Sequence, residues 1–391
     1  MSGLFSAIKV GMRALQATEL GQRVVGNNIA NVDTAGYTRQ RVDYVPSISD
    51  VTAFGTVGTG VDVAGVSRVR DAFIDAQMWA QLAEGGRWTA VAEMLSRAEM
   101  SFNEPGEWGI SASLSEFFAA ARTLAQPDQA DNSGVRIAFM EAASSLALSV
   151  REVRASLVSI QDDASDELSG LASQISAIAE QVAALNEQIT RTEAQYGSAN
   201  ELRDKRDALL EELAGIIDVR AAEGSDGIFR VTINGGVLVE GQRAEAVEFD
   251  DVSGELRWSD TGVPIEFVSG RIGGMLEARD DYIAGLIDEL DAFAGTLIEQ
   301  VNLIHASGLQ LDWATSLTGG YQVTSATALL SDISSSGLPL AVSAGQLTVV
   351  ANGPGGETET VISVASLETT ASLAACLLYT SPSPRDRTRS R

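Results

Sequence analysis

Histidine, cysteine and lysine are nearly missing from this chain of 391 residues: it has only His305, Cys376 and the pair Lys9 and Lys205. One histidine and one cysteine exclude a zinc centre of the usual Cys/His type, the HExxH pattern and a disulfide framework within one chain. Two lysines leave little room for lysine-centred chemistry. Aromatic residues are only 6% of a chain that is 45% hydrophobic. Its apolar content therefore rests on Ala, Leu, Val and Ile, which suits helical seams better than a large enzyme core. Basic residues are scarce as well, with 27 Lys and Arg against 53 Asp and Glu, a net charge of −26. A field of that sign repels phosphate backbones and anionic lipid, so neither nucleic acid nor a membrane is an expected partner. No run approaches 18 apolar residues, so no spanning helix is expected. Lys9 and Arg13 interrupt the first apolar positions, so the start does not read as a secretory signal peptide.

What is present is mostly helical periodicity. Leu4, Ile8, Met12, Leu15, Val24 and Ile29 form an approximate stripe that ends at NNIANVDTAGY, where Asn31, Asp33 and Gly36 supply turn chemistry. From Thr38 to Val69 the chain is rich in Val, Thr and Gly and reads as extended. Helical spacing returns from Phe73 to about Phe102 and breaks at NEPGEWG; a short helix, SLSEFFAAARTLA, follows, and then a break at Pro127.

The longest pattern runs through Val150, Val153, Leu157, Ile160, Ala164, Leu168, Leu171, Ile175, Ile178, Val182, Leu185 and Ile189. Spacings of three and four alternate, with one four-four step at Ala164, which predicts a coiled-coil-like seam on the order of 60 Å long. A second helix, NELRDKRDALLEELAGII, follows with Asn200 as its expected N-cap. Asn234–Gly235 between two Val/Ile-rich runs predicts a hairpin, with further strands at AVEFD and ELRWS. Helical spacing resumes through Met275, Ile283, Leu286, Leu290, Phe293, Leu297, Val301 and Ile304, with Gly308 as its expected C-terminus. Packed on the earlier long helix, this segment would complete an antiparallel rod. Past Gly320 the composition turns to Ser, Thr, Gly and Val, as a β domain would begin.

No catalytic pattern survives inspection. GTVGTG lacks the spacing of a dinucleotide or Walker loop, and GPGGE reads as a turn. His305, in the last turn of an expected helix, is accounted for by the helix dipole and packing. Asp162–Asp163 and Asp280–Asp281 read as solvated faces of a very acidic chain. No enzyme activity, cofactor or metal is expected. Cys376–Arg391 carries the only cysteine and four arginines against one aspartate. It is read as a non-native tail on an N-terminal fragment and set aside.

The segment NNIANVDTAGYTRQRVDY resembles the N-terminal signature of the axial proteins of the bacterial flagellum, with Ala35 where rod and hook members carry proline. TRQ after the turn, GTGVDVAGVSRVRDAFIDAQ, FFAAARTLAQPDQADNSGVR, LRDKRDALLEELA, GRIGGMLEARDDYI and VNLIHASG are similar, in order, to the hook-associated protein 1 family. LQLDWATSLTGG, with Trp313, departs from it, as does the lack of a C-terminal helix to pair with the first one.

The resemblance implies a structural subunit, secreted through the flagellar export apparatus, that joins hook to filament. Its implied partners are copies of itself in a ring, hook protein, the next hook-associated protein or filament, and an export chaperone. A hook or rod protein, a secreted enzyme or adhesin on the same scaffold, and a cytoplasmic coiled-coil scaffold are the alternatives.

The expected fold is mainly α with β insertions. It comprises an N-terminal assembly helix and turn (1–40), an extended linker (41–72), a rod (73–220), a small β module (221–268), a returning rod helix (269–308) and the start of a β-rich outer domain (309–375). The assembly motif is Asn27, Asn28, Ile29, Ala30, Asn31, Gly36 and Tyr37. The rod seam is Leu157, Ile160, Leu168, Leu171, Ile175, Ile178, Val182, Leu185 and Ile189 against Leu290, Phe293, Leu297, Val301 and Ile304.

Overall fold

The computed structural model describes residues 2–52, 55–104, 106, 109–306, 323–337, 345–353, 356–364, 369 and 371–372. Gly308, Trp313, the centre of the GPGGE turn and the tail from Cys376 lie outside the described residues. The chain divides into two compact units, Met1–Gln126 with Gly134–Leu290, and Pro127–Ser133 with Asp291–Arg391.

In the first unit, helix α1 (Ser2–Ala30) leads into strands β1 (Gln40–Pro46), β2 (Asp50–Thr52), β3 (Gly55–Val57) and β4 (Val61–Arg68). The stretch expected as an extended linker is instead an antiparallel hairpin, β1 on β4 from Gln40↔Arg68 to Pro46↔Val61, with β2–β3 nested at its tip. Its Val-rich alternation needed a partner strand to satisfy the backbone, and β4 supplies one. Helix α2 (Ala72–Phe102) starts on an Asp71 cap and ends on Asn103 in the left-handed region; α3 (Ile110–Leu124) follows.

Helix α4 (Ser133–Tyr196) is the spine, 64 residues without interruption and on the order of 95 Å long. Three segments run antiparallel to it. On α2, Ser101 meets Ser156 while Arg97 meets Glu167. On α5 (Asn200–Ile216), Arg203 meets Glu193, Arg206 meets Asn186 and Glu212 meets Gln174. On α6 (Gly270–Glu277) and the π-helical segment Ala278–Ile283, Arg271 meets Glu167 and the Arg279 carbonyl meets Gln161. The seam runs along this contact. Leu157, Ala164, Leu168, Ile175 and Val182 are fully buried, Ile178 nearly so, and Val153, Ile160, Leu171 and Ile189 are buried with them; Leu185 is half-buried. Ala172, Ala179 and Ala183 widen it, so small side chains admit a third element where the sequence pattern read only two.

Between α5 and α6 stands a β module. Strands β5 (Val219–Glu223), β6 (Phe229–Ile233), β7 (Gly236–Glu240) and β8 (Arg243–Ala244) form one antiparallel sheet in chain order, with β9 (Val247–Asp250) paired to β10 (Glu255–Trp258) beside it. The β6–β7 turn holds Asn234 and Gly235 at φ +41° and +82°, as the Asn-Gly pair predicts.

The returning helix differs from its expected register. The π-helical segment inserts a residue between α6 and α7 (Ala284–Ala306), and Ile283, Ile287 and Leu290 are buried while Leu286 is half-buried. Phe293, Leu297 and Val301 are half-buried and Ile304 is exposed, as is His305. The second unit holds α8 (Ile333–Ser336) and the hairpin of β11 (Gly345–Gly353) with β12 (Gly356–Val364), and Leu330, Ile362 and Val364 are buried there.

Candidate functional site

The turn that leaves α1 is built from amide side chains. Asn31 donates to the Asn27 carbonyl (3.0 Å) and to Asn27 Oδ1 (2.9 Å), which caps the last turn of the helix. Asn28 takes both backbone groups of Gln40, donating to its carbonyl (2.8 Å) and accepting from its N–H (2.9 Å), in the manner of a strand partner. The Tyr37 hydroxyl donates to Asn28 Oδ1 (2.9 Å) and accepts from Asn27 (3.2 Å). Gly36 adopts φ +76°, a conformation that costs a residue with a Cβ of the order of 1 kcal/mol or more. Burial, and then the Asp204 carboxylate, push the Tyr37 hydroxyl above its ordinary pKa.

Asn27, Asn28, Asn31, Gly36 and Tyr37 are therefore brought together, while Ile29 and Ala30 face solvent and Asp33 is exposed. Helix α1 itself lies on the β1–β4 hairpin with the face that carries Val10, Arg13, Ala17, Gly21 and Asn28. Arg13 donates to Ser47 Oγ and to Thr59 Oγ1 (3.0 Å), and the Tyr44 hydroxyl donates to the Ala17 carbonyl (3.3 Å) beside Gly21. The opposite face presents Phe5, Ile8, Met12, Leu15 and Ile29 to solvent, each about half or more exposed. Val24, read as part of that stripe, turns half-buried toward the hairpin side.

Arginine–carboxylate pairing carries the turn and the hairpin onto α5, and the sequence pattern did not point to it. Asp204, Asp207 and Glu211 stand on one face of that helix at spacings of three and four. Asp204 accepts from the Thr38 N–H (3.2 Å) and from Arg68 Nη1 (2.7 Å); Asp207 accepts from the same Arg68 nitrogen (2.6 Å) and lies 3.4 Å from Arg70. Arg70 donates to Asp75 (2.8 Å) and Glu211 (3.0 Å). The Arg68, Asp204 and Asp207 side chains are only about a tenth exposed. The available signal was Arg68–Val69–Arg70, two cations that an extended chain places on one side, in a sequence short of cations.

Asn200 corrects another expectation. It does not cap α5, whose cap position is Ala199 without a side-chain bond; it donates to the Val66 carbonyl (2.8 Å) and ties the helix to β4 instead.

The other face of α5 grips the rod. Arg206 is buried beneath the Phe229 ring at 3.5 Å, donates to Asn186 Oδ1 (3.0 Å), and burial pushes its pKa down to about 10. Arg203 makes two bonds to Glu193 (2.7 and 2.9 Å), and its guanidinium holds the Glu193 carboxyl below its ordinary 4.5. A carboxyl whose pKa is lower in the folded state stabilises above its unfolded pKa and loses that contribution as pH falls through the folded one. Removing the charge with Glu193→Gln should therefore lower the denaturation midpoint at neutral pH. The difference from the parent protein should shrink as pH falls below 4.5. Thermal scans across that range check it, and a difference independent of pH would refute it.

No group of His, Cys, Asp and Glu suited to a metal ion occurs among the described residues, and no helix there is long and apolar enough to cross a membrane.

The fold is thus a rod of antiparallel helices, a terminal helix with one apolar face in solvent, and a turn bonded to α5. Residues 95–318 match the family described as flagellar hook-associated protein FlgK helical domain, and the chain belongs to that family. Residues 8–38, which hold most of α1 and the turn, match the flagella basal body rod protein family. The chain is 27% identical over 350 residues to flagellar hook-associated protein 1 of Bacillus subtilis, covering 79% of this chain and 68% of that one. It is 28% identical over 329 residues to the protein of the same name from Salmonella typhimurium, covering 78% and 58%. A solved structure, that of the flagellar hook junction protein FlgK from Burkholderia pseudomallei, is similar with a TM-score of 0.45 and 21% identity over 52% of this chain and 39% of that one.

Proposed function

We propose that this chain is a structural, non-enzymatic subunit that joins the hook to the filament of a bacterial flagellum. It assembles with copies of itself in a ring, sits between hook protein and the next hook-associated protein or filament, and leaves the cell through the flagellar export apparatus, escorted by an export chaperone. The observation that carries the reading is the second face of α1. One face is spent on the hairpin, and the other exposes an apolar stripe, Phe5, Ile8, Met12 and Leu15, with Ile29 beyond the exposed Glu19 and Arg23 at the far end of the helix. A helix so placed gains its remaining burial from neighbours. The match of residues 8–38 to rod proteins favours a shared terminal device, while the helical domain over 95–318 separates this chain from a hook or rod protein.

In this reading the turn sets the angle between α1 and the rod. Gly36→Val tests it. A Cβ there meets only Ala208 at an ordinary 3.8 Å, and holding a β-branched residue at positive φ is a strain of roughly 1–3 kcal/mol. Because Gly36 lies in the turn between α1 and β1, outside the rod helices, the turn can relax away from that strain, so the rod should melt almost unchanged while, in cells carrying the whole gene, filaments fail to form on the hook. Normal melting together with complete, motile filaments would refute the orienting role.

A further inference from the structure

The turn's own hydrogen bonds join α1 to β1, and they stop there. What joins that assembly to the rod is a row of three carboxylates on α5, Asp204, Asp207 and Glu211, engaged by Arg68, Arg70 and the Thr38 N–H. From these contacts we infer that Arg68, with Asp204 and Asp207, is a positioning clamp that fixes the direction of α1 relative to the rod. The inference rests on the proposed junction role and names the residues that enforce its geometry.

Three features support it. Arg68 is the last residue of β4, the strand that pairs with β1 and packs beneath α1, so its placement orients the hairpin that carries α1. A single guanidinium nitrogen lies within 2.7 Å of both carboxylates, so its two N–H bonds are divided between them and turning the side chain toward one breaks its charge-assisted bond to the other. Both partners are withdrawn from water, where a pair is screened far less than on the surface. Asn200, bonded to the Val66 carbonyl, adds a second point of attachment, so the hairpin is held along a line rather than pivoting about one residue.

The test reads the angle rather than stability. With Cys376→Ser, spin labels at Gln22→Cys on α1 and Gln188→Cys on α4 report their separation in the dilute, unassembled chain. The parent protein should give one narrow distance distribution. Replacing all three charges by uncharged residues of similar size, Arg68→Met with Asp204→Asn and Asp207→Leu, leaves no buried carboxylate without its cation; it should leave the melting temperature nearly unchanged and broaden the distribution about twofold or more. If that variant does not fold, Arg68→Gln with Asp204→Asn and Asp207→Asn keeps polar groups in place and should broaden the distribution likewise. A broad distribution in the parent protein, or a folded variant with unchanged width, would overturn the clamp. Neither result touches the junction role, which localisation on the flagellum decides separately.

Discussion

Ile175→Asp should remove about 4 kcal/mol or more of stability, the largest single-residue loss expected in the rod. Ile175 is fully buried in the C-terminal half of α4, and the residues on either side are tied to different elements: Gln174 to Glu212 on α5, and Ser176 to both backbone groups of Val247 in the β module. A carboxylate there would replace a side chain with no exposed surface. Denaturant titration measures the loss. The control is Ser169→Asp on the exposed side of the same helix, expected within about 0.5 kcal/mol of the parent. Equal effects at the two positions would mean that the seam is not where the rod is held together.

Adjacent glycines in α2 should respond with opposite signs. Gly86 lies where α2 crosses α5 and α6 backbone to backbone: a Cβ there would overlap the Gly215 carbonyl oxygen, with the Arg271 nitrogen at 3.2 Å. Neither obstacle is a side-chain end that can swing away, so Gly86→Ala must push helices apart, at a cost of roughly 2–3 kcal/mol. Gly85 has nothing within 4 Å, and alanine there should stabilise by roughly 0.5–1 kcal/mol through the helix preference alone. Gly274, whose Cβ would overlap the Arg87 carbonyl, repeats the device from the α6 side. Thermal melts of the two single variants settle the matter; shifts of the same sign would contradict this crossing.

These glycines show where sequence reading runs short. The long α4, the Asn234–Gly235 hairpin and the mainly helical class follow from local periodicity and turn chemistry, which need no knowledge of partners. The glycines of EGGR and GRIGG have no period to announce them, since their role exists only once three helices meet. The same holds for α5. Asp204, Arg206 and Asp207 look like the solvated face of an amphipathic helix, yet all three are buried, because cations from a strand more than 130 residues earlier and an amide from α4 meet them. The π-helical segment at Ala278–Ile283 was illegible for a related reason. Its Arg279 carbonyl accepts from Gln161 as well as from the Ala284 N–H, and its Arg279 side chain reaches the Gly254 carbonyl, with Gln161 and Gly254 both distant in sequence. Within the turn, the asparagines were readable as turn formers, whereas the pairing of Asn28 with Gln40 requires the hairpin to exist first.

Position along the flagellum tests the junction role most directly. Flagella sheared from the bacterium that makes this protein, labelled with gold-tagged antibody to the β module, should carry one cluster of label at the boundary between hook and filament. Label spread along the hook or confined to the rod, or protein retained in the cytoplasmic fraction with none on the flagella, would contradict it.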